Sequence, residues 1–502
     1  MQLSTIEFVF HPVKLSWWKG VGAIALLVAI AAATASAQTY QTVVNITGSG
    51  INDQPESGLV QGIDGNLYGT MYSFDGAFFQ MTPSGTLKTL HTFCQLANCS
   101  DGLTPNAVIQ ATDGNFYGTT VYGGTGAECS EHCGTVFKIT PSGVFTKLHD
   151  FCSVKPCLDG GWPLAGLVEG TDGNFYGTTS WGGTSYAGAN IGNIGGGTVF
   201  KITPGGELTT LYNFCSELDC YDGRTPAAPL IQATDGNFYG TTSVDGTYAY
   251  ADAGGGTAFQ ITPSGEFKTL YSFCSENDCA DGRYPIAGLV EASDGYLYGT
   301  TEYGGGYGPY GTVFKISTDG ELTTLYRFCP ESGCADGSLP VAPLIQATDG
   351  NLFGTTANGG TANVGTIFEI TPDGGFTSLH SFSHAATNGV NPLAPLVQDT
   401  NGTFYGTTQL GEGYDVGGTI YSLSLGLGPF ITTEPVSGDA GSAVTIRGTN
   451  LSSATSVTFH GTKAAFKVVS ASEITTTVPS GASTGTVDVV TPSGTLSSNV
   501  PF

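Results

Sequence analysis

The nonapeptide TDGNFYGTT occurs three times without change, at Thr112–Thr120, Thr171–Thr179 and Thr234–Thr242. With its looser relatives it forms a series of seven copies, beginning at Asp64, Asp113, Asp172, Asp235, Asp294, Asp349 and, with asparagine in place of aspartate, Asn401. The copies are 49 to 63 residues apart, a period in the range of β-propeller blades with variable loops. They define repeats 1 to 7.

Each repeat carries the same four short runs. In repeat 4, Ala228–Thr234 (APLIQAT) is apolar and β-rich, and the Asp-Gly-Asn turn follows it. Phe238–Thr242 is the second run, then comes a loop of variable length, then Gly256–Thr262, the turn Pro263-Ser264-Gly265, and Phe267–Phe273. Tight glycine-bearing turns between β-branched and aromatic runs are hairpin signals. Four antiparallel strands in each of seven units predict an all-β, seven-bladed β-propeller. Composition agrees: 76 glycines, 11% charged and 11% aromatic residues describe a turn-rich β protein. No amphipathic helical run follows the first forty residues.

The strand count is uneven. Seven repeats have the first three strands, but only six fourth strands follow them. After Gly418–Leu423 the chain changes character, and the missing strand is found at the other end. Tyr40–Thr47 (YQTVVNIT) precedes Gly58-Leu59-Val60 as TLYSF precedes Gly288-Leu289-Val290. The N-terminal strand is therefore expected to complete the last blade and close the ring, leaving no unpaired edge at the seam. This places the propeller at residues 38–427. Residues 428–502 alternate apolar and polar positions between Gly/Ser/Asn turns, the pattern of a small immunoglobulin-like β-sandwich without the Cys–Trp–Cys core of antibody domains.

Residues 1–37 read as a secretory signal peptide. Lys14 and Lys19 precede the apolar run Val21–Ala33, and Ala35-Ser36-Ala37 is a small-residue cleavage site. The run is short for a membrane span and no later segment is long and apolar enough, so no transmembrane segment is expected after signal removal. The formal charge of −26 makes nucleic acid and anionic membrane surfaces poor partners.

The two-part motif DGNFYGTT with GTVFKITPSG resembles the tandem repeat of secreted bacterial GloVer (Gloeobacter/Verrucomicrobia repeat) proteins, over about Thr39 to Leu425. The DGN-aromatic-Tyr element is also similar to periplasmic propellers of sensor kinases, but the long Gly-rich insertions fit the GloVer repeat better. Gly441–Leu451 (GSAVTIRGTNL) and Val478–Val489 (VPSGASTGTVDV) resemble an IPT/TIG domain. The resemblance implies a bacterial protein that is secreted or held at the cell surface, often through a C-terminal anchor. The sequence up to Phe502 contains no such anchor and departs from that pattern. The resemblance implies no catalytic residues.

Cysteine is the strongest local signal. C-x4-C pairs follow five fourth strands: Cys94/Cys99, Cys152/Cys157, Cys215/Cys220, Cys274/Cys279 and Cys329/Cys334; Cys129/Cys133 form a sixth pair inside a loop. An even count in an exported chain points to disulfides, each closing a short ring worth about 2 kcal/mol in the chain-entropy model. Zinc is the rival, but pairs on separate blades do not converge on one tetrahedral site. For calcium, the Asp-Gly-Asn motif lacks an oxygen ligand at the fifth position and a carboxylate at the twelfth, so it reads as a hairpin turn with Asn and Gly at positive φ. Neither a metal nor a cofactor is expected.

The first strands each carry one Gln or Glu: Gln61, Gln110, Glu169, Gln232, Glu291, Gln346 and Gln398. They form either a polar ring lining a channel or bonds between blades. Glu169 and Glu291 are two blades apart and lack an acid–base partner for glycoside chemistry. His91, His149 and His380 stand where other repeats have Tyr212, Tyr271 and Tyr326, and read as packing residues. No H-E-x-x-H, G-x-S-x-G or phosphate-loop motif is present, and no catalytic residue is assigned.

The long insertions and the cysteine-bearing connections fall on one face of the expected propeller. They bring Tyr122, Trp181, Tyr186, Tyr248, Tyr250, Tyr303, Tyr307, Tyr310 and Tyr414 there among Gly, Asn and Asp. These rings either form a ligand surface or pack the loops onto the blades. The expected function is a non-enzymatic binding or adhesion protein recognising extracellular polysaccharide, cell-envelope glycan or a surface protein through that face. The alternatives are a carbohydrate-active hydrolase or lyase on the same face, and a purely structural surface or matrix protein. Oligomeric state is left open.

Overall fold

The computed structural model describes residues 38–46, 54–72, 75–126, 133–184, 195–248, 255–306, 308, 310–385, 388–411 and 417–502. Among them there is no α-helix, only four short 3-10 turns between strands. The seven repeats give seven antiparallel sheets of four or five strands, and the tail gives two more.

Repeat 3 shows the pattern. Its strands are Val168–Glu169, Phe175–Thr179, Thr198–Ile202 and Leu208–Asn213. The expected first run shrinks to two paired residues, because the proline-containing stretch before it leaves the ladder. The second strand is buried along its whole length. Its central glycine is a packing requirement: a Cβ on Gly177 would come within 2.7 Å of the Phe200 ring on the neighbouring strand. A one-residue bulge at Leu211 re-aims Tyr212 along the outer strand.

The N-terminal strand Thr39–Asn45 pairs antiparallel with Gly417–Ser424, from Thr39 opposite Ser424 to Asn45 opposite Thr419. It carries the same bulge at Val43, between Thr42 and Val44. Consecutive repeats share apolar cores. Tyr117 and Phe151 of repeat 2 meet Phe175, Phe200 and Ile202 of repeat 3, and Phe353 and Phe382 of repeat 6 meet Phe404 and Leu423 of repeat 7. Repeat 1 packs against the sheet of repeat 7 in the same way, through Leu59, Leu67 and Phe79 against Tyr405 and Ile420.

In the tail, one sheet places Val444, Ile446 and Ile474 against Val457, Phe459, Val487 and Val489 of the other. The tail rests on the hairpin turns of repeats 1 and 7. Ser472 Oγ donates to the Ile63 carbonyl at 2.7 Å, Phe430 N to the Thr400 carbonyl at 2.9 Å, and the Thr449 and Thr400 hydroxyls are 2.9 Å apart.

Candidate functional site

The repeated turn is a closed hydrogen-bonding unit. In repeat 2, Asp113 Oδ1 accepts from Asn115 N at 2.9 Å, while Oδ2 accepts from Asn115 Nδ2, the Tyr117 hydroxyl (both 2.8 Å) and Lys138 Nζ (2.9 Å). Only the glycine takes positive φ (+80° at Gly114). Asn is absent from the left-handed residues of this turn, contrary to expectation, because its side chain serves the aspartate instead. Burial pushes the Asp113 carboxyl up, but the bonds from Lys138, Asn115 and Tyr117 outweigh it and hold it at about 2. Asp172, with Lys201, is likewise held at about 2. These carboxylate oxygens are occupied by donors from their own sheet.

The Gln/Glu series runs from each repeat to the one before it. Glu169 accepts from Thr112 N at 2.8 Å and from its hydroxyl at 2.7 Å; Glu291 does the same for Thr234. Gln110, Gln232, Gln346 and Gln398 accept from Ile63 N, Thr171 N, Ser293 N and Thr348 N. Gln61 of repeat 1 accepts from Thr400 N of repeat 7 at 3.1 Å. Glu169 and Glu291 thus each commit both carboxylate oxygens to a threonine of the preceding repeat.

The linkers between repeats hold disulfides Cys94–Cys99, Cys152–Cys157, Cys215–Cys220, Cys274–Cys279 and Cys329–Cys334. Cys133 is also disulfide-bonded; Cys129, its expected partner, lies outside the described residues. Two residues beyond each second cysteine of these five stands an aspartate that reading by motif passes over. Asp281, fully buried, accepts from the Tyr271 hydroxyl (2.8 Å), Ser275 N (2.9 Å) and Ser275 Oγ (3.0 Å). Asp222 does the same for Tyr212 and Ser216, and Asp159 takes His149 Nε2 at 3.1 Å. His149 is therefore more than a packing residue. In repeat 6, which lacks the cysteines, His380 Nε2 meets Asn388 Oδ1 at 2.9 Å and its ring stacks on Tyr40 at 3.8 Å. The recurring C-x-D-G in the sequence is the signal that finds these aspartates.

Of the aromatic candidates, Tyr186, Tyr250, Tyr307 and Tyr414 lie outside the described residues. Tyr248 is exposed. Tyr310 is half-buried against the core shared by repeats 5 and 6. Trp181 packs on Cys133, Cys152 and Cys157. The Tyr122 ring meets Trp162 edge-on at 6.0 Å, and Tyr303 meets Tyr284 at 5.5 Å with the Arg283 guanidinium 5.5 Å from its ring. Tyr122, Trp181 and Tyr303 occupy one equivalent position, the residue that bridges back to the start of its own repeat. Tyr72 of repeat 1, overlooked in the sequence, stands one residue earlier, where Val121, Ser180 and Glu302 are found in repeats 2, 3 and 5; its N–H donates to the Gln54 carbonyl as Ser180 N does to Trp162 and Glu302 N to Tyr284.

The segments that open the repeats line a cavity of about 350 Å3, which Tyr72 borders. Its lining comes from repeats 1, 2, 3, 4, 6 and 7, with Glu56, Ser57, Tyr72, Asn106, Leu164 and Pro229 among the contributors. Glu56 Oε1 accepts from Gln409 Nε2 at 2.7 Å, and burial pushes the Glu56 carboxyl above its ordinary range, the Gln409 bond opposing this less strongly. Burial, then the nearby Glu56 and Tyr122, push the Tyr72 hydroxyl up as well.

No curated protein matches the sequence. Solved structures with a related course of chain include a fungal alcohol oxidase of the AA5 family in complex with copper (12% identity, 93% of this chain and 98% of that chain covered, TM-score 0.48). A protein assigned as a gluconolactonase (10%, 78% and 92%, 0.37) and a luciferin-regenerating enzyme (11%, 78% and 98%, 0.40) are further examples. None of the three carries an activity over to this chain. The family profile described as the Gloeobacter/Verrucomicrobia repeat matches residues 28–191, 189–343 and 253–465, and that of the IPT/TIG domain matches 429–502. The chain belongs to the Gloeobacter/Verrucomicrobia repeat family and carries a C-terminal IPT/TIG domain.

Proposed function

We propose that the protein is an exported binding or adhesion protein: a seven-bladed propeller of residues 38–427, closed by its N-terminal strand, whose loop face recognises extracellular polysaccharide or cell-envelope glycan. The architecture is supported by the seven repeat sheets, the pairing of Thr39–Asn45 with Gly417–Ser424, and the bond between Gln61 and Thr400. Export is supported by the disulfide-rich linkers and agrees with the absence, among the described residues, of a helix long and apolar enough to cross a membrane.

The observation that carries the ligand class is the placement of Tyr122, Trp181 and Tyr303 at one repeat-equivalent position, each bridging back to the start of its own repeat. Flat rings with polar edges stack on sugar faces, and a set of them at a common level suits an extended chain of sugars. A glycan array with the mature protein tests this. Binding to at least one polysaccharide, weakened about tenfold or more by Trp181→Ala combined with Tyr303→Ala, is the expected outcome. A blank array, or binding untouched by both substitutions, refutes it.

A hydrolase or lyase on the same face is the second reading. In its favour, burial raises the carboxyls of both Glu56 and Glu302, the latter bonded to Tyr303. Turnover of a bound polysaccharide by purified protein would decide for it.

A further inference from the structure

The cavity bordered by Tyr72 is walled chiefly by apolar groups such as Leu164, Pro229, Pro343 and Pro395. Among its described lining residues there is one carboxylate, Glu56, and no lysine, arginine or histidine. The repeats themselves show that the fold does not require this carboxylate. Each repeat has a proline before its first strand, and the residue after it is Leu164, Ala227, Ile286, Val341 or Leu393 in repeats 3 to 7. Only repeats 1 and 2 depart, with Glu56 and Asn106, and both residues line the cavity.

The carboxylate has a neutral partner, Gln409, at 2.7 Å, and none of the described residues lining the space carries a positive charge. A half-buried anion against apolar walls is costly unless something cationic joins it. The Tyr72 ring, 37% exposed, lines the same space. Carboxylate and aromatic face together are what an ammonium group prefers. A divalent metal would have to keep a shell of waters that these apolar walls cannot hydrogen-bond, or shed it for six or more oxygen ligands that they do not offer.

We propose that this cavity binds a small organic cation, an ammonium group on a compact body, with Glu56 as its counter-charge and the Tyr72 ring as its apolar face. A space of about 350 Å3 is suited to a molecule of choline or amino-sugar size. The chain's net charge of −26 favours the approach of cations. This site is separate from glycan stacking by Trp181 and Tyr303 and does not depend on it.

Isothermal titration of the mature chain with choline and with glucosamine tests the proposal, with 3,3-dimethyl-1-butanol as choline's uncharged isostere. Saturable binding of at least one of the two amines is expected, with choline, if it is the one bound, favoured over the isostere about tenfold or more. Glu56→Gln keeps the shape and an amide contact with Gln409, and is expected to weaken the bound amine by about tenfold or more without changing the melting temperature. Tyr72→Leu is expected to weaken it while leaving the carboxylate in place, and Trp181→Ala to have no effect. Failure of both amines to bind, equal binding of choline and its isostere, or unchanged amine affinity in Glu56→Gln overturns it.

Discussion

His91 and His380 occupy a strand position that Tyr212, Tyr271 and Tyr326 fill in other repeats. Burial pushes both imidazoles below their ordinary pKa, opposed weakly by Asp101 in one case and by the Asn388 bond in the other. A group with a lowered basic pKa binds its proton more readily in the unfolded chain. Stability is therefore lost as pH falls from about 6.5 toward the folded values. Replacing both residues by tyrosine, as the other repeats do, is expected to flatten the fall in denaturation midpoint between pH 7 and pH 5. Parallel pH profiles for variant and parent would refute this. Asp113 and Asp172 act lower on the scale, since their contribution is present above about 3.8 and lost as pH falls through about 2. The aspartate of the repeated turn was legible as a turn residue. That its oxygens are taken by Tyr117 and Lys138 was not, because the lysine comes from the third strand and meets the turn only when the sheet forms.

The linker between two repeats is an element in its own right. In the linkers after repeats 2, 3 and 4 a short disulfide, a buried aspartate and the hydroxyl or imidazole of the preceding strand interlock over ten residues, as Tyr271 and Asp281 do across Cys274–Cys279. The aspartate is the centre of this element, because it collects three or more donors that would otherwise be buried without partners. Asp281→Ala leaves the Tyr271 hydroxyl and both Ser275 donors without their acceptor and is expected to cost about 3 kcal/mol. Replacing Cys274 and Cys279 together by serine removes only the short ring and should cost less, about 2 kcal/mol. Chemical denaturation of the two variants compares them directly, and the reverse order would show that the covalent link dominates. The cysteine pairs were plain in the sequence from their spacing. The aspartate was equally regular but chemically mute there, since its donors only reach it once the chain folds back on itself.

At the scale of the whole molecule, the N-terminal strand is the joint between the beginning and the end of the repeats. Its bulge at Val43 and its pairing with Gly417–Ser424 reproduce what other fourth strands do within one repeat, and Tyr40 stacks on His380 of repeat 6 as Phe267 stacks on Tyr212 of the repeat before it. Deleting residues 38–46 exposes the edge of Gly417–Ser424 and strips part of the core that contains Ile46 and Ile420. The melting temperature is expected to fall by about 10 °C or more, and an unchanged melt would refute the proposed closure. The tail adds to the same joint, since Thr400 is bonded to Gln61 of repeat 1 and to Thr449 of the IPT/TIG domain.

The sequence alone determined the number of repeats, the strands within each and the borrowing of a strand from the N-terminus. These follow from local causes: two-residue alternation, turn chemistry and a pattern repeated seven times. Tertiary structure decided which of the loop aromatics cover a disulfide or a core, and where the odd residues of the repeat meet. Glu56 carries no motif. It becomes conspicuous only because first strands distant in the chain converge, placing one carboxylate, a tyrosine ring and a set of proline walls around the same space. Convergence of that kind depends on how sheets pack, and no short-range pattern encodes it.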